Sequence, residues 1–203
     1  VYKGEVLGIV GESGCGKTTL ARTILRLTDA TSGSVRLEDV DIMKLNPLEM
    51  KNLRRKMQVI FQDPYESMNP RMDVQTIISE PLRIQGLAST VHQARDVVAS
   101  VLADVEMIPP EEYMSRYPHE LSGGQRQRVA VARALALDPD FIVADEPVSM
   151  LDVSIRGEVL NLMLNLSREK GVTFVYITHD LATARHICDR IAVMYLGKIV
   201  EMG

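Results

Sequence analysis

Near the start of the chain, Gly11-Glu12-Ser13-Gly14-Cys15-Gly16-Lys17-Thr18 and the adjoining Thr19 bring glycines, a lysine and hydroxyls together in the spacing GxxxxGK[ST]. Glycines let the backbone curl so that successive N–H groups converge on one point, where they can hydrogen-bond phosphate oxygens. Lys17 adds a mobile positive charge for β- and γ-phosphates, and Thr18 a hydroxyl for the Mg²⁺ that bridges them. A strand-like run before the loop and a helical pattern after it give the motif its expected setting, and the helix adds its positive end. These residues predict a nucleotide site.

Three further groups could act on such a nucleotide. Asp145-Glu146-Pro147 follows the apolar FIVA run, so two acids emerge at the carboxyl end of a strand, where open α/β sheets put their ligands. Asp145 is suited to hold Mg²⁺, and Glu146, pointing to the other side, to polarise an attacking water. Read alone, the tripeptide is ordinary turn composition; the phosphate loop raises it above that. His179 ends the next strand-like run, VTFVYI, in the same topological position, and its imidazole can bond a γ-phosphate oxygen or help hold the water. His92, His119 and His186 lack such placement. Leu121-Ser122-Gly123-Gly124-Gln125 precedes a strongly helical stretch: Ser122 is a natural N-cap and the two glycines leave backbone amides bare. This second anion-receptive helix start predicts a contribution to a nucleotide pocket on a second subunit.

The elements that must carry these groups follow from apolar periodicity. Strand-like runs are expected at Glu5–Val10, along SVRLEDVDI (34–42), at Met57–Phe61, Phe141–Ala144 and Val172–Ile177, and in RIAVMYL and KIVEM near the end. Helices are expected after the phosphate loop, from Pro47 to about Lys56, at 74–85, 91–105 and 123–137, and at 155–170 before Gly171. Val159, Leu160, Met163, Leu164 and Leu166 form a core-facing stripe on the last of these. Strands alternating with helices argue for a mostly parallel sheet covered by helices, with the helical stretch in the middle inserted into it.

Composition excludes several classes. The 203 residues are 46% hydrophobic and 25% charged, with a net charge of −4. That is globular composition without the basic field that sequence-independent nucleic-acid binding requires. No apolar run reaches the length of a membrane-spanning helix. Cys15 and Cys188 make neither a disulfide framework nor a zinc site and read as reduced thiols. A chain that begins at Val1 in a strand-like segment and stops at Gly203 just past another reads as a fragment.

With LSGGQ the motifs acquire a family order. The chain resembles the ABC (ATP-binding cassette) ATPases over essentially its whole length: the phosphate loop, Gln62 at a strand end like the Q-loop, LSGGQ, FIVADEP, Ser149-Met150-Leu151-Asp152 like the D-loop, and His179 like the H-loop. The resemblance implies a P-loop NTPase (RecA-like) α/β core at 1–64 and 138–203 with an inserted α-helical subdomain at 65–137, the whole being a cassette truncated at both ends. It implies that Gly11 to Thr19 cradle ATP and that Gln62 touches Mg²⁺ or water and reports to a membrane partner. It further implies that Ser122, Gly124 and Gln125 clamp the γ-phosphate of ATP on the opposite subunit, and that Asp152 lines the dimer seam. Thr18 stands where serine is frequent and Met150 where alanine is usual. The family's adenine-stacking aromatic lies on an upstream strand; Tyr2 sits too near the loop to fill that part.

The strings FQDPYESMNPRM, RYPHELSGGQRQRVAVARALALDP and VADEPVSMLDVSIRGEVLNLM are most similar to the ATP-binding subunits of dipeptide and oligopeptide importers, above all to the second ATPase of such systems; nickel and some sugar importers share the subfamily. The expected partners are a second ATP-binding subunit in a homo- or heterodimer sandwich, transmembrane permease subunits and, indirectly, an extracytoplasmic solute-binding protein, with no nucleic acid. The expected location is the cytoplasmic face of the inner membrane. The competing class is an ABC ATPase acting on nucleic acid or ribosomes, against which stand the lack of sustained heptads and the single phosphate loop. A plain P-loop kinase leaves LSGGQ and His179 unexplained.

Overall fold

The computed structural model describes residues 1–65 and 67–203. Its strands are β1 (Val6–Val10), β2 (Arg36–Leu37), β3 (Val40–Asp41), β4 (Met57–Ile60), β5 (Phe141–Asp145), β6 (Thr173–Thr178), β7 (Arg190–Tyr195) and β8 (Lys198–Met202). Its α-helices are α1 (Lys17–Ile24), α2 (Pro47–Leu53), α3 (Val74–Ile84), α4 (Arg95–Asp104), α5 (Glu111–Met114), α6 (Gly123–Leu135), α7 (Val153–Lys170) and α8 (Leu181–Ile187).

One sheet, in the order β4-β5-β6-β1-β7-β8, organises the chain. Its first four junctions are parallel and the β7–β8 junction antiparallel. Strands β1, β5 and β6 are buried along their whole length, the mark of a sheet covered on both faces. Alternate residues divide between two cores, as the strand period requires. Ile60, Ile142, Ala144, Phe174 and Tyr176 face a core shared with α3, α4, α6 and α7. Ile9, Phe141, Val143, Val175 and Ile177 face the smaller core under α1 and α2. The apolar interior of the inserted helices is thus continuous with one face of the sheet.

Register brings the functional ends together. Ile60 pairs with Ala144, Asp145 with Ile177, and Val10 with Thr178. The residues that leave these strands therefore open on one edge: Gln62 after β4, Glu146 after β5, His179 after β6 and Gly11 after β1.

Local signals set several boundaries. Asn46 accepts from the amides of Leu48 and Glu49, Glu49 closes the capping box and Pro47 occupies the first turn, so α2 starts where its sequence dictates. Gly171, at φ 67°, ends α7 in the left-handed conformation. Four features depart from the sequence expectations. The single strand expected over 34–42 is a short antiparallel hairpin, β2–β3, turning at Glu38 (φ 52°). The helix expected from residue 91 begins at Arg95, after a turn. The short α5 and α8 are additional. On α7, Leu162 is buried whereas Leu164 is only partly so.

Both cysteines are free thiols. Burial, with Asp189 adding to it, pushes Cys188 up to about 12, which leaves it unreactive at neutral pH. Among the described residues, no helix is long and apolar enough to cross a membrane.

Candidate functional site

The phosphate loop joins β1 to α1 over 11–16. Gly16, at φ 106°, is the N-cap of α1. At Gly11 a Cβ would collide with the Met194 carbonyl oxygen and lie 2.8 Å from Cys15 Sγ, so only glycine lets β1 turn against β7 here. Cys15 fills the space beneath the loop and is buried. Lys17 is 5% exposed, and its Nζ donates to the carbonyls of Gly11 (2.7 Å) and Glu12 (2.9 Å). The ammonium is thereby held across the loop, with Cys15 Sγ at 3.9 Å.

This loop forms one wall of a cleft of about 610 Å³. Glu12, Ser13, Gly14, Gly16, Lys17, Thr18 and Thr19 line one side, and Gln62, Glu146 and His179 the other. A second cleft of about 430 Å³ shares Thr18 and Gln62 with it and adds Asp145, Arg22, Asp63 and Met150. Residues from three separate strand ends thus meet around the lysine-bearing loop.

The two acids have different surroundings. Asp145 ends β5 and is 8% exposed. Burial pushes its carboxyl above the ordinary carboxylate range; the Thr18 hydroxyl works against this, Glu146 adds to it, and Lys17 and Arg22 draw it back down. A cation beside it would stabilise the charged form in the same way. Glu146 has a left-handed backbone, φ 47°, at a cost of about 1–2 kcal/mol for a residue with a Cβ. Its backbone is pinned on both sides: its N–H donates to the Ile177 carbonyl at 2.9 Å, and the Ser149 N–H and Oγ donate to its own carbonyl at 3.2 and 2.9 Å. That turn takes the Glu146 side chain out of the line of β5 and sets Oε1 3.1 Å from His179 Nδ1. His179 remains largely exposed to the cleft.

Ser122, Gly123, Gly124 and Gln125 lie elsewhere and line neither cleft. Ser122 caps α6, its Oγ accepting from the Gln125 N–H at 3.2 Å while its own N–H donates to Gln125 Oε1 at 2.9 Å. A Cβ on Gly124 would come within 2.6 Å of Ile155 Cγ2, so the helix start packs closely on α7. Asp152 is the exposed N-cap residue of α7, and its carbonyl accepts from the N–H groups of Ile155 and Arg156.

Two cleft-side residues lay outside the sequence reading. Arg22 stands one helical turn after Thr18, a spacing that puts both on one face of α1 and could have identified it. Arg156 braces the 149–152 loop by donating from Nε to the Leu151 carbonyl at 2.8 Å and from Nη2 to the Ser149 carbonyl at 3.4 Å; nothing in the local pattern marks it. Among the described residues, no group of three or more His, Cys, Asp or Glu side chains forms a self-sufficient metal cage. The donor set of Thr18, Asp145 and Gln62 instead fits a hard cation that brings phosphate oxygens and water with it.

The ABC transporter family profile matches residues 1–149. The chain is 52% identical over 202 residues to the putative oligopeptide transport ATP-binding protein YkfD of Bacillus subtilis, covering all of this chain and 61% of that protein. It is also 52% identical over 204 residues to the oligopeptide transport ATP-binding protein OppF of the same organism, covering all of this chain and 66% of that protein. The chain thus spans less than two thirds of the length of these relatives. Among solved structures, the ATP-binding cassette MJ0796, a dimer in a post-hydrolysis state bound to ADP and Pi, superposes with a TM-score of 0.86 at 32% identity, covering 100% of this chain and 86% of that one. CbiO1 of Clostridium perfringens, part of the ABC transporter complex CbiONQ, superposes with a TM-score of 0.88 at 26% identity, covering 100% and 78%.

The state of Asp145 makes a prediction about stability. A carboxyl whose pKa rises on folding binds its proton more tightly in the folded chain. Its burial therefore destabilises the fold above the folded pKa, and the cost fades toward the ordinary aspartate value of about 3.9. Asp145→Asn removes the buried charge. In thermal unfolding at pH 7 the variant is expected to melt above the parent, with the gap closing as the pH falls through the folded pKa. A lower melting temperature at pH 7 would contradict the assignment.

Proposed function

The chain belongs to the ABC transporter family, and from that membership and the geometry of the cleft we propose that it is the ATP-binding, ATP-hydrolysing part of a peptide importer. The observation that carries the ATPase reading is the meeting of Lys17, Thr18, Gln62, Glu146 and His179 around one cleft. The cargo class rests on the identity to oligopeptide transport proteins over the full length of this chain.

Each side chain has a distinct part on this reading. Backbone amides of 11–16 and the start of α1 bind the β- and γ-phosphates, and Lys17 exchanges its loop carbonyls for phosphate oxygens. Thr18, Asp145 and Gln62 hold Mg²⁺, which when bound neutralises phosphate charge. Glu146 takes a proton from the attacking water, and His179, bonded to it, orients the carboxylate and reaches toward the γ-phosphate. Ser122, Gly124 and Gln125 complete the ATP site of a second ATP-binding subunit, with Asp152 at the seam. The protein works at the cytoplasmic face of the cell membrane, attached through permease subunits and supplied indirectly by a solute-binding protein. The chain divides into a core of 1–64 and 138–203 and an inserted helical block of 65–137.

Two substitutions in the full-length protein test this. Glu146→Gln is expected to retain ATP in an associated form with turnover largely lost; near-normal phosphate release would reject Glu146 as the base. Lys17→Ala removes a charge-assisted contact of about 1.5–3 kcal/mol and should weaken ATP binding roughly ten- to a hundredfold in a fluorescent-nucleotide titration. Unchanged affinity would remove the lysine from the cradle.

A further inference from the structure

Two arginines of α6, neither with a part in the cleft, reach across to the stretch that follows Gln62. Arg126 lies over the Tyr65 ring, its guanidinium carbon 5.3 Å from the centroid, within cation–π range. The same guanidinium donates to the carbonyls of Pro118 and Leu121, in the turn that leads into Ser122. Arg133 lies two helical turns further along the same face of α6. It donates from Nη1 to the Ser67 carbonyl at 2.7 Å and from Nη2 to Glu80 of α3 at 2.9 Å.

The described residues of the stretch they grip, 63–65 and 67–68, are also tied to one another. Asp63 Oδ1 accepts from the Tyr65 N–H at 2.7 Å, an Asx-type turn. Ser67 Oγ donates to the Pro64 carbonyl at 2.9 Å, and Pro64 and Met68 are buried. Gln62 therefore leads a hook that is pinned at Asp63, Tyr65, Ser67 and Met68. One attachment would leave such a hook free to pivot; two fix both its position and its angle.

We propose that Arg126 and Arg133 are positioning residues that join the hook led by Gln62 to the helix that starts at Ser122, so that a displacement of Gln62 is delivered to Ser122 instead of being absorbed between them. The inference rests on the reading of the cleft given above. Arg126 addresses the Ser122 end directly, because one guanidinium holds both Tyr65 and the Leu121 carbonyl. Arg133 keeps the hook from swinging. Its planar fork bonds a carbonyl and a carboxylate at once, which the point charge of a lysine does not reproduce. The consequence is mechanical: loss of either arginine should leave nucleotide binding intact and disconnect the two ATP-facing motifs.

The test uses the full-length protein assembled with its permease, partner ATPase and solute-binding subunits in phospholipid vesicles. ATP affinity and hydrolysis are measured with and without peptide-loaded binding protein for Arg126→Ala, Arg133→Lys, Tyr65→Leu and Tyr65→Phe. ATP affinity is expected within about twofold of the parent, while stimulation of hydrolysis by the loaded binding protein falls about tenfold in the first three variants. Tyr65→Phe, which keeps the aromatic face, should retain the response, and Arg126→Ala with Tyr65→Leu should lose no more than either alone. Full stimulation in variants that merely melt lower would overturn the proposal, as would a parallel fall in affinity and hydrolysis. A parent assembly without ATP hydrolysis would overturn the reading of the cleft itself, and this inference with it.

Discussion

The concentrated negative charge of a triphosphate can be met by backbone amides only where the chain bends without side chains in the way, and the turn after β1 satisfies that condition. Gly11 lies so close to Met194 and Cys15 that no Cβ fits. Gly16 sits left-handed at the N-cap of α1, and Lys17 is folded in against the loop's own carbonyls. These features depend on β1 being flanked in parallel by β6 and β7, so the loop is a product of the sheet. The same register that fixes the loop brings Gln62, Glu146 and His179 to its edge.

Strain and burial meet at that edge. Glu146 carries a left-handed backbone held by hydrogen bonds on both sides, and Asp145 carries a carboxylate that burial disfavours. Both costs are offset by a sheet whose central strands are wholly buried, and strain and shifted carboxyls of this kind cluster at functional sites. Around this rigid edge, arginines act as struts. Arg156 holds the 149–152 loop, while Arg126, Arg128 and Arg133 tie α6 to its neighbours. Guanidinium groups suit that use because one fork spans several carbonyls and carboxylates.

The sequence carried the chemistry-bearing loops and the central strands, because both depend on local composition: glycine spacing, unbroken apolar runs, an N-cap serine. It did not carry features decided by tertiary contact. The 34–42 stretch alternates like one strand, yet it folds back at Glu38 as a hairpin too short for its pattern to declare. The helix over α4 was expected to begin four residues earlier, but Val91 and His92 belong to the turn that brings Arg95 into the helix. Arg156 and the α6 arginines were invisible because many of their partners are backbone carbonyls, which leave no signature in residue identity, and others, such as Tyr65, Glu80 and Glu106, are brought near only by the fold. Arg22 was legible from its spacing to Thr18.

The central claim is that ATP is gripped from two subunits, by the Lys17 loop of one and the Ser122 helix start of the other. Backbone amide hydrogen exchange across residues 122–126 of the full-length assembly, in a Glu146→Gln background, tests it most directly. Exchange there should slow by about tenfold or more when ATP is added to the associated protein and stay unchanged when the subunits are held apart by dilution. Exchange indifferent to ATP in the assembly, or protection of equal size in the dissociated subunit, would contradict it.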